Sequence, residues 1–194
     1  MKKITAILLM ALMVLSLTAC GNQTGKGNNG SEGSTEPTSV TITTLNGQKE
    51  ETLLEVPYNP ERIAILDIAA LDIIDSIGVG DKVVGMAQTS IDYLSNYSEN
   101  KNIKNLGTIK EADIEAVMEC EPDIIFIGGR LSASYDKLSE IAPVVYLATD
   151  SSIGLVESTL KNARTIASIF GKENGVEDKV NQYNSRINNL KSIA

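Results

Sequence analysis

Histidine and tryptophan are absent from this sequence of 194 residues, and cysteine occurs only twice. Without histidine the chain lacks the commonest transition-metal ligand and the commonest general base, so Ser–His–Asp and Cys–His catalysis are excluded within it. Cys20 and Cys120 lie in a leader-like segment and in a predicted helix, which argues against a disulfide between them. A nucleotide-binding loop is also missing. The sequence therefore predicts a protein that is not an enzyme and has no direct metal ligands.

Basic residues are outnumbered by acidic ones. The chain has 17 Lys and Arg against 25 Asp and Glu, a formal net charge of −8. Removal of a leader containing two lysines would leave a net charge of −10, from 15 basic and 25 acidic residues. Binding to nucleic acid needs a basic face, and so does electrostatic adhesion to an anionic membrane. Neither is therefore expected.

Residues 1–19 are predicted to be a lipoprotein signal peptide. Two lysines precede the apolar stretch Ile4–Leu17, which is too short for a typical transmembrane helix. The stretch ends in Leu17-Thr18-Ala19-Cys20, which resembles the lipobox of bacterial lipoproteins. That resemblance implies a lipid-modified Cys20 and a chain anchored at the outer face of the cell membrane. The alternative is an ordinary secretory signal, or an uncleaved anchor, with an incidental cysteine.

Residues 20–38 are predicted to form a flexible tether. They are rich in Gly, Ser, Asn and Thr and nearly free of apolar residues. Such a segment cannot bury enough surface to offset the entropy of ordering. It would join the membrane anchor to a folded domain.

From residue 39 onward the pattern is α/β. Residues 39–56 are predicted to form a β-hairpin with Asn46-Gly47 at its turn. Short apolar strands then alternate with amphipathic helices, which is typical of a Rossmann-like parallel sheet flanked by helices. The predicted strands are 63–66, 82–86, 103–107, 124–127 and 144–147, and the predicted helices are 68–77, 113–120 and 134–141.

Ligands of parallel sheets bind beyond the carboxyl ends of the strands. The residues at those ends are therefore candidate ligand-facing groups. They are Asp67, Gln88–Ser90, Thr108, Gly128–Ser132 and Thr149.

Two further helices are predicted after residue 150. The first spans 153–170 and ends before Gly171, and the second spans 176–193 with apolar residues at steps of three or four. No predicted strand follows the second helix. Its apolar stripe has no evident cover, so we expect this helix to be loosely attached.

The stretch from Asn59 to Leu147 resembles the N-terminal lobe of class III periplasmic binding proteins, the helical-backbone type. The resemblance depends on an ordered set of motifs over about ninety residues rather than on one of them. They are Asn59-Pro60-Glu61-Arg62-Ile63-Ala64, Leu106-Gly107-Thr108, Asp113-Ile114-Glu115-Ala116-Val117, Glu121-Pro122-Asp123-Ile124-Ile125-Phe126-Ile127, Gly129-Arg130-Leu131-Ser132, Tyr135-Asp136-Lys137-Leu138 and Ile141-Ala142-Pro143.

The last motifs are most similar to the branch that binds catecholate siderophores. The resemblance implies a substrate-binding protein that captures a ferric siderophore and delivers it to the permease and ATPase subunits of an ABC importer, with no cofactor of its own. It also implies that residues 39–150 form the N-terminal binding lobe, 151–171 the backbone helix, and 172–194 the start of a truncated C-terminal lobe. Haem, cobalamin, or no ligand at all are the alternatives.

Arg130 is the principal candidate ligand-binding residue. A guanidinium stays charged and offers a planar fork of donors to the oxygens of an anionic chelate. In the resembling branch an arginine at this place belongs to a basic triad completed by the second lobe. The alternative is a surface arginine in a loop.

The other candidate ligand-binding residues carry less specific signals. Gly129 would allow the ligand to approach the backbone. Ser132 could donate a hydrogen bond or, more in keeping with its place, cap the following helix. Gln88 and Thr89 stand where relatives carry a lysine. Asp67 fits a helix cap better than a ligand contact.

Glu115 has a predicted role outside the ligand site. The resemblance implies that a glutamate at this place docks into arginines of the permease. The alternative is a solvated glutamate on a helix face in an acidic chain.

Overall fold

The computed structural model describes residues 36–193. The predicted signal peptide, the lipidation residue Cys20 and residues 20–35 of the predicted tether lie outside that range. Among the described helices, none has the length and apolarity needed to cross a bilayer.

The chain enters the fold through an antiparallel hairpin, as predicted. Strand β1 (Ser39–Leu45) pairs with β2 (Glu51–Pro57) from Ser39↔Pro57 to Leu45↔Glu51. The connection is longer than the two-residue turn expected at Asn46-Gly47, because β2 begins only at Glu51. The Oδ1 atom of Asn46 accepts hydrogen bonds from the backbone N–H groups of Gln48 and Glu50, which closes this wider loop.

A five-stranded parallel sheet forms the centre of the fold and confirms the predicted α/β architecture. Its order is β5-β4-β3-β6-β7. The strands are β3 (Ile63–Ile65), β4 (Val83–Met86), β5 (Lys104–Asn105), β6 (Ile124–Ile127) and β7 (Val144–Tyr146). The helices are α1 (Ile68–Ser76), α2 (Ser95–Ser98), α3 (Ile114–Glu119), α4 (Tyr135–Ser139), α5 (Leu155–Phe170) and α6 (Glu173–Ile193).

The central strands are buried on both faces, which explains why they appear as continuous apolar runs. In β6, Ile124 and Phe126 face a core shared with α1 and α5, whereas Ile125 and Ile127 face a core shared with α3 and α4. All four residues are fully buried. Helices on both faces therefore fix the sheet and leave its carboxyl edge open for loops.

Two helices begin at aspartates that the sequence places at their N-caps. The Asp67 side chain accepts a hydrogen bond from Ala69 N–H at 2.8 Å, and Asp113 accepts one from Ala116 N–H at 3.0 Å. The predicted helix 134–141 is shorter than expected. A 3₁₀ segment over Gly129–Ser134 leads into α4, which begins only at Tyr135.

The two C-terminal helices differ in how well they are covered. Helix α5 packs on the sheet and ends at Gly171, whose left-handed backbone (φ 62°) turns the chain into α6. The first two turns of α6 bury Val176 and Val180 against α5. Farther along, Leu190 is 64% exposed and Ile193 is 83% exposed. The first half of α6 is therefore covered, contrary to the expectation that its apolar stripe has no cover. Loose attachment stays a prediction for the second half of α6.

Candidate ligand-binding cleft

The order of the strands creates a crevice at the carboxyl edge of the sheet. The chain leaves β3 towards β4 on one side, and it leaves β6 towards β7 on the other. The loops that follow these two neighbouring strands therefore diverge, which is where open α/β sheets bind ligands. A cavity of about 520 Å³ occupies this position. Its lining comes from Leu66–Ala69, Ile73, Ile109, Gly128–Arg130, Leu147–Thr149, Thr159 and Asn162.

Arg130 contributes the positive charge of this cleft. It is exposed, and none of the residues 36–193 forms an ion pair with it. The next residue, Leu131, is only 1% exposed, and its N–H donates to the Gly128 carbonyl at 3.1 Å. Burial of Leu131 therefore anchors the loop while Arg130 stays free to meet a ligand. The side chain of Leu131 itself cannot reach one.

Asp67 faces the same cavity from the end of β3. Burial raises the pKa of its carboxyl group, while the N–H groups of Ala69 and Ala70 and the charge of Arg130 act in the opposite direction. The predicted capping role is confirmed by the hydrogen bond to Ala69. One cation and one partly buried carboxyl group therefore share the cleft.

The two glycines before Arg130 have different surroundings. A Cβ atom on Gly128 would lie 2.5 Å from Asp67 Oδ2, whereas a Cβ atom on Gly129 would meet its nearest neighbour, Ala148 Cβ, at 3.9 Å. Gly128 is thus required by close packing between the loops after β3 and β6. Gly129 is exposed and leaves open space at the cavity.

Gln88 and Thr89 do not join Arg130. They line a second cavity of about 540 Å³ at the ends of β4 and β5, which shares no lining residue with the first. Thr108 belongs to this second cavity, and the hydroxyl of Thr89 accepts a hydrogen bond from Ile91 N–H at 3.3 Å. The predicted site is therefore divided between two cavities along one sheet edge.

Ser132 lies in neither of these two cavities. The expectation that it caps the following helix is wrong, because it sits inside the 3₁₀ segment and α4 begins three residues later. The residue at the N-cap is Ser134, whose side chain makes no capping hydrogen bond.

Helix α5 supplies wall residues that the sequence did not indicate. Thr159 and Asn162 line the cleft, and Asn162 Nδ2 lies 3.4 Å from the carbonyl oxygen of Ala148, to which it donates. The apolar periodicity of α5 showed which side packs on the core. It gave no sign that polar residues beside that stripe reach the ends of β6 and β7.

Comparison with known proteins decides the family. Residues 63–194 match the family described as periplasmic binding protein. The chain belongs to the periplasmic binding proteins. Its five-stranded parallel sheet with flanking helices is the fold of the family's helical-backbone members.

Several siderophore-binding members of this family are similar to the chain. The petrobactin-binding protein YclQ of Bacillus subtilis is 33% identical over 195 residues, which cover 100% of this chain and 59% of YclQ. The crystal structure of YclQ superposes with a TM-score of 0.69 at 35% identity, covering 79% of this chain and 53% of YclQ. The catecholate-siderophore binding protein VctP of Vibrio cholerae gives a TM-score of 0.68 at 31% identity, with coverages of 77% and 52%.

The ligands named for related binding proteins vary. The iron(3+)-hydroxamate-binding protein YxeB of Bacillus subtilis is 27% identical over 187 residues, covering 96% of this chain and 52% of YxeB. Because it covers 59% of YclQ and 52% of YxeB, the chain spans about half the length of these relatives.

Glu115 is not among the residues that line the candidate cleft. It is exposed in the first turn of α3 and forms no ion pair within the described part of the chain. One turn later, Glu119 is paired with Lys104. The Glu115 side chain is therefore exposed on the surface of α3.

Proposed function

We propose that this chain is the ligand-capturing part of an extracytoplasmic substrate-binding lipoprotein that takes up a ferric siderophore of catecholate type for an ABC importer. Residues 39–150 form its N-terminal binding lobe, 151–171 its backbone helix, and 172–194 the start of a second lobe. The observation that carries the proposal is the position of Arg130, which lines the cavity between the loops after β3 and β6 and forms no ion pair within residues 36–193. Similarity to YclQ and VctP supports the siderophore class.

Arg130 has the chemistry that a ferric catecholate requires. A tris-catecholate complex is a trianion whose oxygens lie at its surface, and a weakly hydrated guanidinium can donate to several of them without competing for the iron. Gly129 leaves room for the complex to approach the backbone. Gln88 and Thr89 contact the ligand only where it extends into the second cavity.

Haem is a weaker candidate for this site. Haem iron usually takes an axial ligand from the protein, and the sequence has no histidine to offer. The cavity lining contains no methionine or tyrosine either. Haem and cobalamin are therefore titrated as competing ligands in the experiment that tests the proposal.

The test is an NMR titration of the ¹⁵N-labelled chain with gallium(III) tris-catecholate, a diamagnetic analogue of the ferric complex. NMR detects the weak binding expected of one wall of a cleft. Amide shifts at Gly128, Arg130 and Thr149 are expected. Arg130→Gln should raise Kd by roughly tenfold or more, since a hydrogen bond to a charged group contributes about 1.5–3 kcal/mol.

The matched control is Arg186→Gln, which removes an exposed arginine from α6. It should leave Kd unchanged. Arg130→Lys should restore only part of the affinity, because lysine keeps the charge but loses the fork of donors. Equal Kd values for the wild type and Arg130→Gln, or shifts induced only by haem or cobalamin, would refute the siderophore assignment.

Membrane anchoring and permease docking are the remaining parts of the proposal. Cys20→Ala should abolish incorporation of a labelled fatty acid in the producing cells. Glu115→Gln should lower iron uptake while leaving the gallium complex bound with the same Kd. The control is Glu140→Gln, which changes an exposed glutamate at the end of α4 and should not affect uptake.

A further inference from the structure

The cleft combines charges of opposite sign, and these two charges restrict the chemistry of the ligand more narrowly than the siderophore class alone does. Arg130 and Asp67 line the same cavity of about 520 Å³. A carboxylate repels the anionic chelate that Arg130 would attract. The inference below rests on the proposed function and specifies which kind of iron chelate fits this cleft.

The capping role of Asp67 does not by itself require a charge. Asn and Ser cap helices about as well as Asp. Here the carboxylate accepts a hydrogen bond from Ala69 N–H at 2.8 Å, and no side chain within residues 36–193 donates to it. Partial burial makes its ionised form less favourable. An uncharged cap would avoid both the burial penalty and the repulsion of an anion.

The Asp67 carboxylate is directed towards the loop that contains Arg130. Its Oδ2 atom lies against Gly128, where a Cβ atom could not fit, and Gly128 is two residues before Arg130. The negative and positive groups therefore stand on the two facing loops of the crevice, one after β3 and the other after β6. A ligand that enters between these loops meets both.

We propose that the cleft selects iron chelates that carry a protonated amine beside the anionic metal centre, with Asp67 binding the ammonium group and Arg130 binding the chelate oxygens. An ammonium group supplies the donors that the Asp67 carboxylate lacks. The same group reduces the net negative charge that the acidic chain must accept. A chelate with oxygens alone satisfies Arg130 and leaves Asp67 as a repulsive neighbour.

The test compares two gallium(III) complexes that differ mainly in the ammonium group. One is built from dopamine and the other from 4-ethylcatechol, which has the same ring and the same two-carbon arm. Titration of the ¹⁵N-labelled wild-type chain should show the dopamine complex binding about threefold to fivefold more tightly, the range of a partly exposed ion pair. Asp67→Asn keeps the cap and should remove most of this preference.

Asp113→Asn is the matched control. It changes the N-cap of α3, outside the cleft, and lowers the overall negative charge by the same amount. It should leave the preference as in the wild type. Equal affinity of the wild type for the two complexes, or a preference that survives in Asp67→Asn, overturns the inference.

A measurement on the wild-type chain makes the test independent of how the variants fold. Intermolecular NOEs are expected between the dopamine methylene next to the ammonium group and the amide proton of Ala69. NOEs from that methylene only to protons elsewhere overturn the inference. If neither complex shifts the Gly128 and Arg130 amides, the proposed function fails and the inference with it, whereas equal binding of both complexes at these amides refutes the inference alone.

Discussion

The Oδ2 atom of Asp67 lies 2.5 Å from the position that a Cβ atom on Gly128 would occupy. These two residues follow neighbouring strands, β3 and β6, and their contact sets how closely the two loops of the cleft approach each other. Because Asp67 is also held by Ala69 N–H, the carboxylate cannot easily move away. The shape of the cleft therefore depends on the absence of a side chain at residue 128.

Gly128→Ala should deform the cleft, whereas Gly129→Ala should not. The new methyl group at residue 128 must displace Asp67 or the loop, and overpacking of this kind destabilises folded proteins by about 1–3 kcal/mol. The methyl group at residue 129 meets nothing closer than 3.9 Å. Urea unfolding measures both effects. Adding Asp67→Ser, a shorter cap, to Gly128→Ala should restore part of the loss; no rescue would mean that the contact with Asp67 is not the cause.

Asp67→Asn should stabilise the chain near neutral pH and have no such effect in strong acid. Burial raises the pKa of Asp67 in the folded chain, so the folded state holds this proton more tightly than the unfolded state does. Stability contributed by the protonated group is complete below the unfolded-state pKa and is lost as the pH rises through the folded-state pKa. Asparagine keeps the cap without that loss.

The measurement is the midpoint of thermal unfolding for the wild type and Asp67→Asn across the acid to neutral range. The gap between the two should open as the pH rises. Asp113→Asn, at an exposed N-cap, provides the comparison. A variant at residue 67 that is less stable than the wild type at neutral pH would show that its charge is needed by the fold.

Thr44→Val should destabilise the junction between the hairpin and the sheet. The buried Thr44 hydroxyl donates to the Tyr146 carbonyl at 3.1 Å and accepts from the Tyr146 N–H at 2.8 Å, so it satisfies the outer edge of β7. Valine has the same shape but leaves both backbone groups unpaired, at about 1–3 kcal/mol for a buried group. Thr43→Val, at an exposed position in β1, should change the free energy of unfolding little.

Gly171→Ala and Gly175→Ala should act in opposite directions. Gly171 ends α5 with φ 62°, and a Cβ atom there would overlap the Tyr58 hydroxyl, so alanine should destabilise by about 1–3 kcal/mol. Gly175 lies within α6 with no neighbour near its Cβ position, and alanine there should stabilise by about 0.5–1 kcal/mol. Differential scanning calorimetry of both variants checks this; two shifts of the same sign would contradict it.

Local pattern predicted the strands and most helices of residues 36–193, but it missed the short helix α2. The apolar run Ile124–Ile127 specifies a doubly buried strand, and the aspartates at residues 67 and 113 specify where two helices begin. Each of these signals depends on residues no more than about four positions apart. The parallel sheet then follows from the alternation of strands and helices, and the placement of Arg130 at its carboxyl edge follows from the sheet.

Long-range packing determines which of the edge residues share a cavity. The order of the strands puts Asp67 beside Gly128 and Arg130, while Gln88 and Thr89 lie in a separate cavity at the ends of β4 and β5. The crossing of α5 adds Thr159 and Asn162 to the cleft. Such neighbours are distant along the chain, and they meet because apolar faces of strands and helices pack together. The polar residues next to those apolar faces have no sequence periodicity of their own, so the sequence does not indicate that they line the cleft.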